Sequence, residues 1–208
     1  MTALQFTHVY EQGAGANART LLLLHGTGGN ERDLLGVGRS LDPAANLLSP
    51  RGKVLERGMP RFFRRLAEGV FDTEDLIART HELAEFVRSA SGTYGFLPEK
   101  VVAVGFSNGA NIGGALLLLR PEVLRAAALW RPMIPLVPEK PADLQGRDVL
   151  LTHGSFDSMT DEPQRERYAR MLREAGARVE VETLTAGHVL SANDISITEK
   201  WLRNRVQE

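Results

Sequence analysis

Short, continuous apolar runs alternate along this chain with longer amphipathic stretches, and that alternation leaves few architectures open. The runs cover residues 21–24, 46–49, 101–104, 126–130 and 149–152, and a sixth segment, 179–184, alternates apolar with polar residues. His25-Gly26, Pro50, Gly105, Pro132, His153-Gly154 and Gly187 lie at or just beyond their ends. Continuous runs of this length fit strands buried on both faces of a parallel sheet. Helices are predicted between them. One is capped by Asp72 and runs to about residue 89, with Leu76, Leu83 and Val87 on its apolar side. Others cover 108–119, 162–175 (with Tyr168, Met171, Leu172 and Ala175 on one stripe) and 194–206. Strands alternating with helices imply an α/β fold, a mostly parallel sheet with helices on both faces. In such a sheet, ligands bind at the carboxyl ends of the strands.

No repeat or low-complexity tract interrupts the pattern, and 208 residues suit one domain spanning 1–208. The net charge of -1 provides no broad field for nucleic acid or an anionic membrane. Cysteine is absent, which excludes disulfides, thiolate metal sites and a cysteine nucleophile. The first twelve residues do not read as a signal peptide, and the apolar runs are too short to span a bilayer. The cytoplasm is the expected location.

Gly105-Phe106-Ser107-Asn108-Gly109 matches G-x-S-x-G at a predicted strand end and opens a predicted helix. That is the context in which the motif holds a nucleophilic serine on a sharp, strained turn. Gly105 and Gly109 lack a Cβ where the chain passes close. The alternative is a glycine-rich turn whose serine only caps the helix.

A serine nucleophile needs a general base, and the base an orienting carboxylate. With a nucleophile elbow the chain order is Ser, acid, His, and of the five histidines only His153 and His188 follow Ser107. His188 lies in a loop after the last predicted strand, and Asp157 sits four residues past the preceding strand end. His153 as base would need an acid such as Asp143 or Asp148. We read it instead as structural, holding the loop that carries Asp157. Asp161 and Glu162 compete with Asp157 but stand where a helix start favours acids. His25-Gly26-Thr27-Gly28-Gly29-Asn30 follows the first strong strand. Its Thr27 backbone N–H and that of Asn108 are the candidate oxyanion donors. A phosphate loop is disfavoured, since G-K-[ST] is missing and G-x-G-x-x-G is incomplete.

His25-Gly26-Thr27-Gly28-Gly29, Gly105-Phe106-Ser107-Asn108-Gly109-Ala110-Asn111, His153-Gly154-Ser155-Phe156-Asp157 and Gly187-His188 together resemble the bacterial phospholipase/carboxylesterase family of α/β-hydrolases. The tract from Pro50-Arg51-Gly52-Lys53 through Arg61-Phe62-Phe63-Arg64-Arg65, with Arg131-Pro132-Met133, looks like its small bacterial carboxylesterase branch. The resemblance implies a single α/β-hydrolase domain with a minimal cap, a shallow site and no cofactor or metal. It implies a Ser107–Asp157–His188 triad, with Thr27 and Asn108 as oxyanion donors. Asn108 stands where many relatives, acyl-protein thioesterases included, have Gln. The activity implied is hydrolysis of small, short-acyl carboxylic esters. A lysophospholipase or thioesterase with the same triad and a noncatalytic ligand-binding module are the alternatives. The implied partner is a small-molecule ester, and a homodimer stays open. Arg51, Phe62, Phe63, Trp130 and Met159 are candidate substrate contacts. The basic residues of 51–65 read first as a solvated, salt-bridged face and second as a receptor for an anionic substrate group.

Overall fold

Strand β2 (Thr20–Leu24) is fully buried and lies near the middle of a seven-stranded sheet of order β1-β3-β2-β8-β9-β10-β11. The other strands are β1 (His8–Glu11), β3 (Asn46–Pro50), β8 (Val101–Phe106), β9 (Ala126–Trp130), β10 (Asp148–Gly154) and β11 (Arg178–Leu184). All pairings are parallel except the outermost, β1 with β3. In this computed structural model, residues 4–15 and 17–206 are described; the remainder of the expected 1–208 domain lies outside the described residues.

Among the described residues, five helices cover the sheet: α1 (Leu35–Leu41), α2 (Thr73–Tyr94), α3 (Asn108–Leu119), α4 (Glu162–Glu174) and α5 (Ala192–Arg205). Successive strand residues point to opposite faces, so each strand feeds two cores. Leu22, Leu24, Ala103, Leu129 and Leu151 pack with the apolar stripes of α2, α3 and α4. Leu21, Leu23, Val104, Trp130 and Leu150 pack on the other face with α1 and α5.

The predicted helices form with small shifts. Asp72 caps α2, its carboxylate accepting from Asp75 N, and the helix continues past residue 89 to a left-handed Gly95. Asp161 and Gln164 form a capping box at the start of α4, which settles Asp161 as a cap. Three features escaped the pattern: the edge strand β1, the short α1, and two hairpins between β3 and α2. The hairpins are β4 (Val54–Glu56) with β5 (Met59–Arg61), and β6 (Arg65–Ala67) with β7 (Val70–Phe71).

Candidate active site

Ser107 follows β8 directly and precedes α3, with φ 52° and ψ -114°. A non-glycine residue with positive φ is strained, and such strain clusters at functional sites. The surroundings leave the turn little alternative. Ser107 N donates to Trp130 O at 2.9 Å and its carbonyl accepts from Asn111 N, again at 2.9 Å. A Cβ on Gly105 would lie 2.6 Å from Gly109 O, and one on Gly109 would collide with the Leu24 carbonyl. The two glycines therefore permit the crossing of the elbow over the end of β2.

His188 reaches this serine from the loop between β11 and α5. Its Nε2 lies 2.8 Å from Ser107 Oγ, and its Nδ1 lies 2.8 Å from Asp157 Oδ2. An ionised carboxylate can only accept, so Nδ1 carries the proton and Nε2 is left as the acceptor facing the hydroxyl. Asp157 is buried, and its second oxygen accepts from Met159 N at 2.9 Å. The arrangement can draw a proton from Ser107 while the carboxylate steadies the imidazolium that results.

Thr27, Asn108 and Met159 line the same cavity as Ser107 and His188, a space of about 190 Å³. Asn108 opens α3, so its N–H lacks an intrahelical acceptor, and it stands directly after the serine. Its side-chain Oδ1 accepts from Phe62 N at 2.7 Å, which ties the hairpin tract to the elbow. The loop carrying Thr27 is fixed by His25. Nδ1 of His25 must donate to Gly26 O, 2.7 Å away, and Nε2 must then accept from Gly52 N at 3.0 Å. Burial lowers the pKa of His25 and so favours the neutral ring this bonding needs.

Four expected substrate contacts lie elsewhere. Phe62 and Phe63 are core residues at 2% and 0% exposure, packed with the α2–α3 face because a buried aromatic gains more there than at a wet rim. Trp130 lies in the opposite core with its Nε1 donating to Thr198 Oγ1. Arg51 forms a two-pronged pair with Glu31. Three more residues of the basic tract are paired: Lys53 with Glu82, Arg64 with Asp72, Arg65 with Glu56.

His153 also departs from expectation. It is 1% exposed, and neither ring nitrogen has a partner among the described residues. Burial, reinforced by the Arg165 and Arg131 charges, lowers its pKa to about 4. The Asp157 loop is held instead by Arg165, which donates to the Asp157 and Thr160 carbonyls and to Thr160 Oγ1. Sequence reasoning also missed Arg131. Its guanidinium donates to Gly187 O at 3.1 Å and Val189 O at 3.0 Å, gripping the chain on both sides of His188. It is anchored by the fully buried Asp194 at 2.7 Å. Among the described residues, no three His, Asp or Glu side chains converge as metal ligands, and no helix is long and apolar enough to cross a membrane.

A family model described as Phospholipase/Carboxylesterase matches residues 7–205. The chain belongs to the phospholipase/carboxylesterase family. A Bacillus subtilis (strain 168) protein named as a hydrolase, MhqD, is 45% identical over 199 residues, covering 96% of this chain and 98% of that protein. A carboxylesterase structure from Bacillus cereus superposes with a TM-score of 0.94 at 42% identity, covering 97% and 95% of the two chains. A carboxylesterase from Mesorhizobium loti does so with 0.91 at 30% identity, covering 98% and 97%. This family member therefore has the α/β-hydrolase fold, and its relatives support an esterase-type hydrolase.

Proposed function

We propose that this protein is a serine carboxylesterase that hydrolyses small, short-acyl esters through an acyl-enzyme, with Ser107 as nucleophile, His188 as base and Asp157 as orienting acid. The observation that carries the reading is the bridging imidazole, 2.8 Å from both the Ser107 hydroxyl and the Asp157 carboxylate. His188 Nε2 takes the hydroxyl proton as Oγ bonds to the ester carbonyl carbon. The N–H groups of Thr27 and Asn108 receive the resulting oxyanion. The imidazolium then gives its proton to the departing alkoxide as the C–O bond breaks. Water repeats the sequence on the acyl-enzyme and releases the acid. The small volume beside Ser107, bounded by Met133, Met159 and Phe71, favours short acyl groups.

Hydrolysis of p-nitrophenyl acetate, butyrate and octanoate tests this. Turnover is expected to fall with chain length, and Ser107→Ala is expected to lower it by about 10⁴-fold or more. Unchanged turnover in that variant would end the proposal, as would failure of Ser107 to label with a fluorophosphonate.

A further inference from the structure

Two buried guanidiniums in the wall of the Ser107 cavity are partnered very differently. Arg131 is saturated: Nε and Nη2 hold carbonyls, Nη1 reaches Thr152 Oγ1, and both Nη1 and Nη2 bind the Asp194 carboxylate. Arg61 is comparably withdrawn, at 3% exposure, but far less satisfied. Its Nε donates to Phe63 O at 3.3 Å and its Nη1 to Thr27 Oγ1 at 2.6 Å. Its Nη2 has no hydrogen-bond partner among the described residues.

Charge follows the same pattern. The carboxylate near Arg61 is Glu56, 3.4 Å from Nε. Both Glu56 oxygens are, however, engaged by Arg65, at 3.1, 3.1 and 2.7 Å. Two guanidiniums thus share one carboxylate, and both face the cavity. Glu68 also lines that space, but from an exposed turn where water solvates it. Burial and repulsion from Arg65 outweigh the attraction of Glu56 and hold Arg61 below the ordinary arginine range. Nη2 is not sealed from the cavity, so an anion entering there would replace water as its partner.

We propose that Arg61, supported by Arg65, receives a carboxylate on the substrate, so that the preferred substrates are half-esters of short dicarboxylic acids. This rests on the esterase reading and names its substrate class. Glu68, on the exposed rim, draws on Arg65 and tempers the positive charge of the cavity, which suits a singly charged carboxylate better than a phosphate dianion. The planar Nη2 edge suits a carboxylate oxygen. The apolar stretch beside Met133 and Met159 suits a few methylenes between the ester and the charge.

The test compares kcat/KM for mono-p-nitrophenyl glutarate and p-nitrophenyl pentanoate, in wild type, Arg61→Gln, Arg61→Lys and Arg65→Gln. A charge-assisted contact of this kind is expected to give a charged-to-neutral ratio of about ten or more in wild type. The ratio should fall about tenfold in Arg61→Gln and less in Arg61→Lys. Because Arg61 also bonds Thr27, the neutral ester can slow as well, and the ratio removes that shared loss. Should Arg61→Gln not fold, Arg65→Gln and competitive inhibition of wild type by glutarate against pentanoate carry the test. A wild-type ratio of one or below, or a high ratio that survives both Gln variants, overturns the assignment. Ser107-dependent turnover of the neutral ester would leave the esterase reading standing in either case. No Ser107-dependent turnover of either ester overturns both.

Discussion

Single side chains carry distinct tasks at this site, and substitution separates them. Asp157 and Asp161 lie four residues apart but do different things. In the proposed reaction Asp157 fixes the tautomer of His188, and Asp157→Asn would offer an amide that favours the wrong one. A drop in kcat of about 10⁴-fold is expected with folding intact, as measured by ester turnover and circular dichroism. Asp161 accepts from Gln164 N, so Asp161→Ala should cost about 1 kcal/mol in denaturant unfolding and leave turnover nearly unchanged. The grouping of Ser107, Asp157 and His188 was legible from motif and chain order, because each lies within four residues of a strand end. Arg61, Arg131 and Arg165 were not legible. An arginine's role is decided by which distant carbonyls and carboxylates return to it, and for Arg131 these lie 56 to 63 positions away.

At the level of elements, legibility followed length. The long buried strands and the helices from α2 to α5 carry enough residues for a period to emerge. The hairpin strands β4 to β7 have only two or three residues each, too few for any period. Strand β1 is only half-buried, and α1 contains Gly36 and Gly38, so neither stands out. The strand β10 has a consequence of its own. Its His153 keeps a neutral ring down to about pH 4, whereas an unfolded histidine titrates near 6.5. Between those values the unfolded chain binds a proton that the folded chain refuses, so stability falls as pH falls across that window. The loss amounts to about 3 kcal/mol and does not grow further below the folded value. Urea unfolding at pH 7, 5.5 and 4 should show this slope, and His153→Gln should flatten it. A variant with the same slope would place the proton uptake elsewhere, with His25, also lowered by burial, the next residue to replace.

Across the whole molecule, the Arg131–Asp194 pair links the end of β9 to the first turn of α5 and, through the Gly187 and Val189 carbonyls, to the loop bearing His188. Arg131→Met would strand a buried carboxylate, and a loss of about 3–5 kcal/mol is expected in denaturant unfolding. Ester turnover should fall in the protein that remains folded, because the histidine loop loses two of its bonds. The hairpin tract is stitched to the other side of the site in the same manner. Gly28 N donates to Pro60 O, Arg61 to Thr27 Oγ1, and Phe62 N to Asn108 Oδ1. Under the proposed chemistry, the segment that feels the far end of a substrate is thus fastened to both amides that meet the developing anion. Affinity and speed then cease to be independent properties. A poorly matched ester would be released unreacted more often, and discrimination would register in the rate of bond cleavage more than in occupancy.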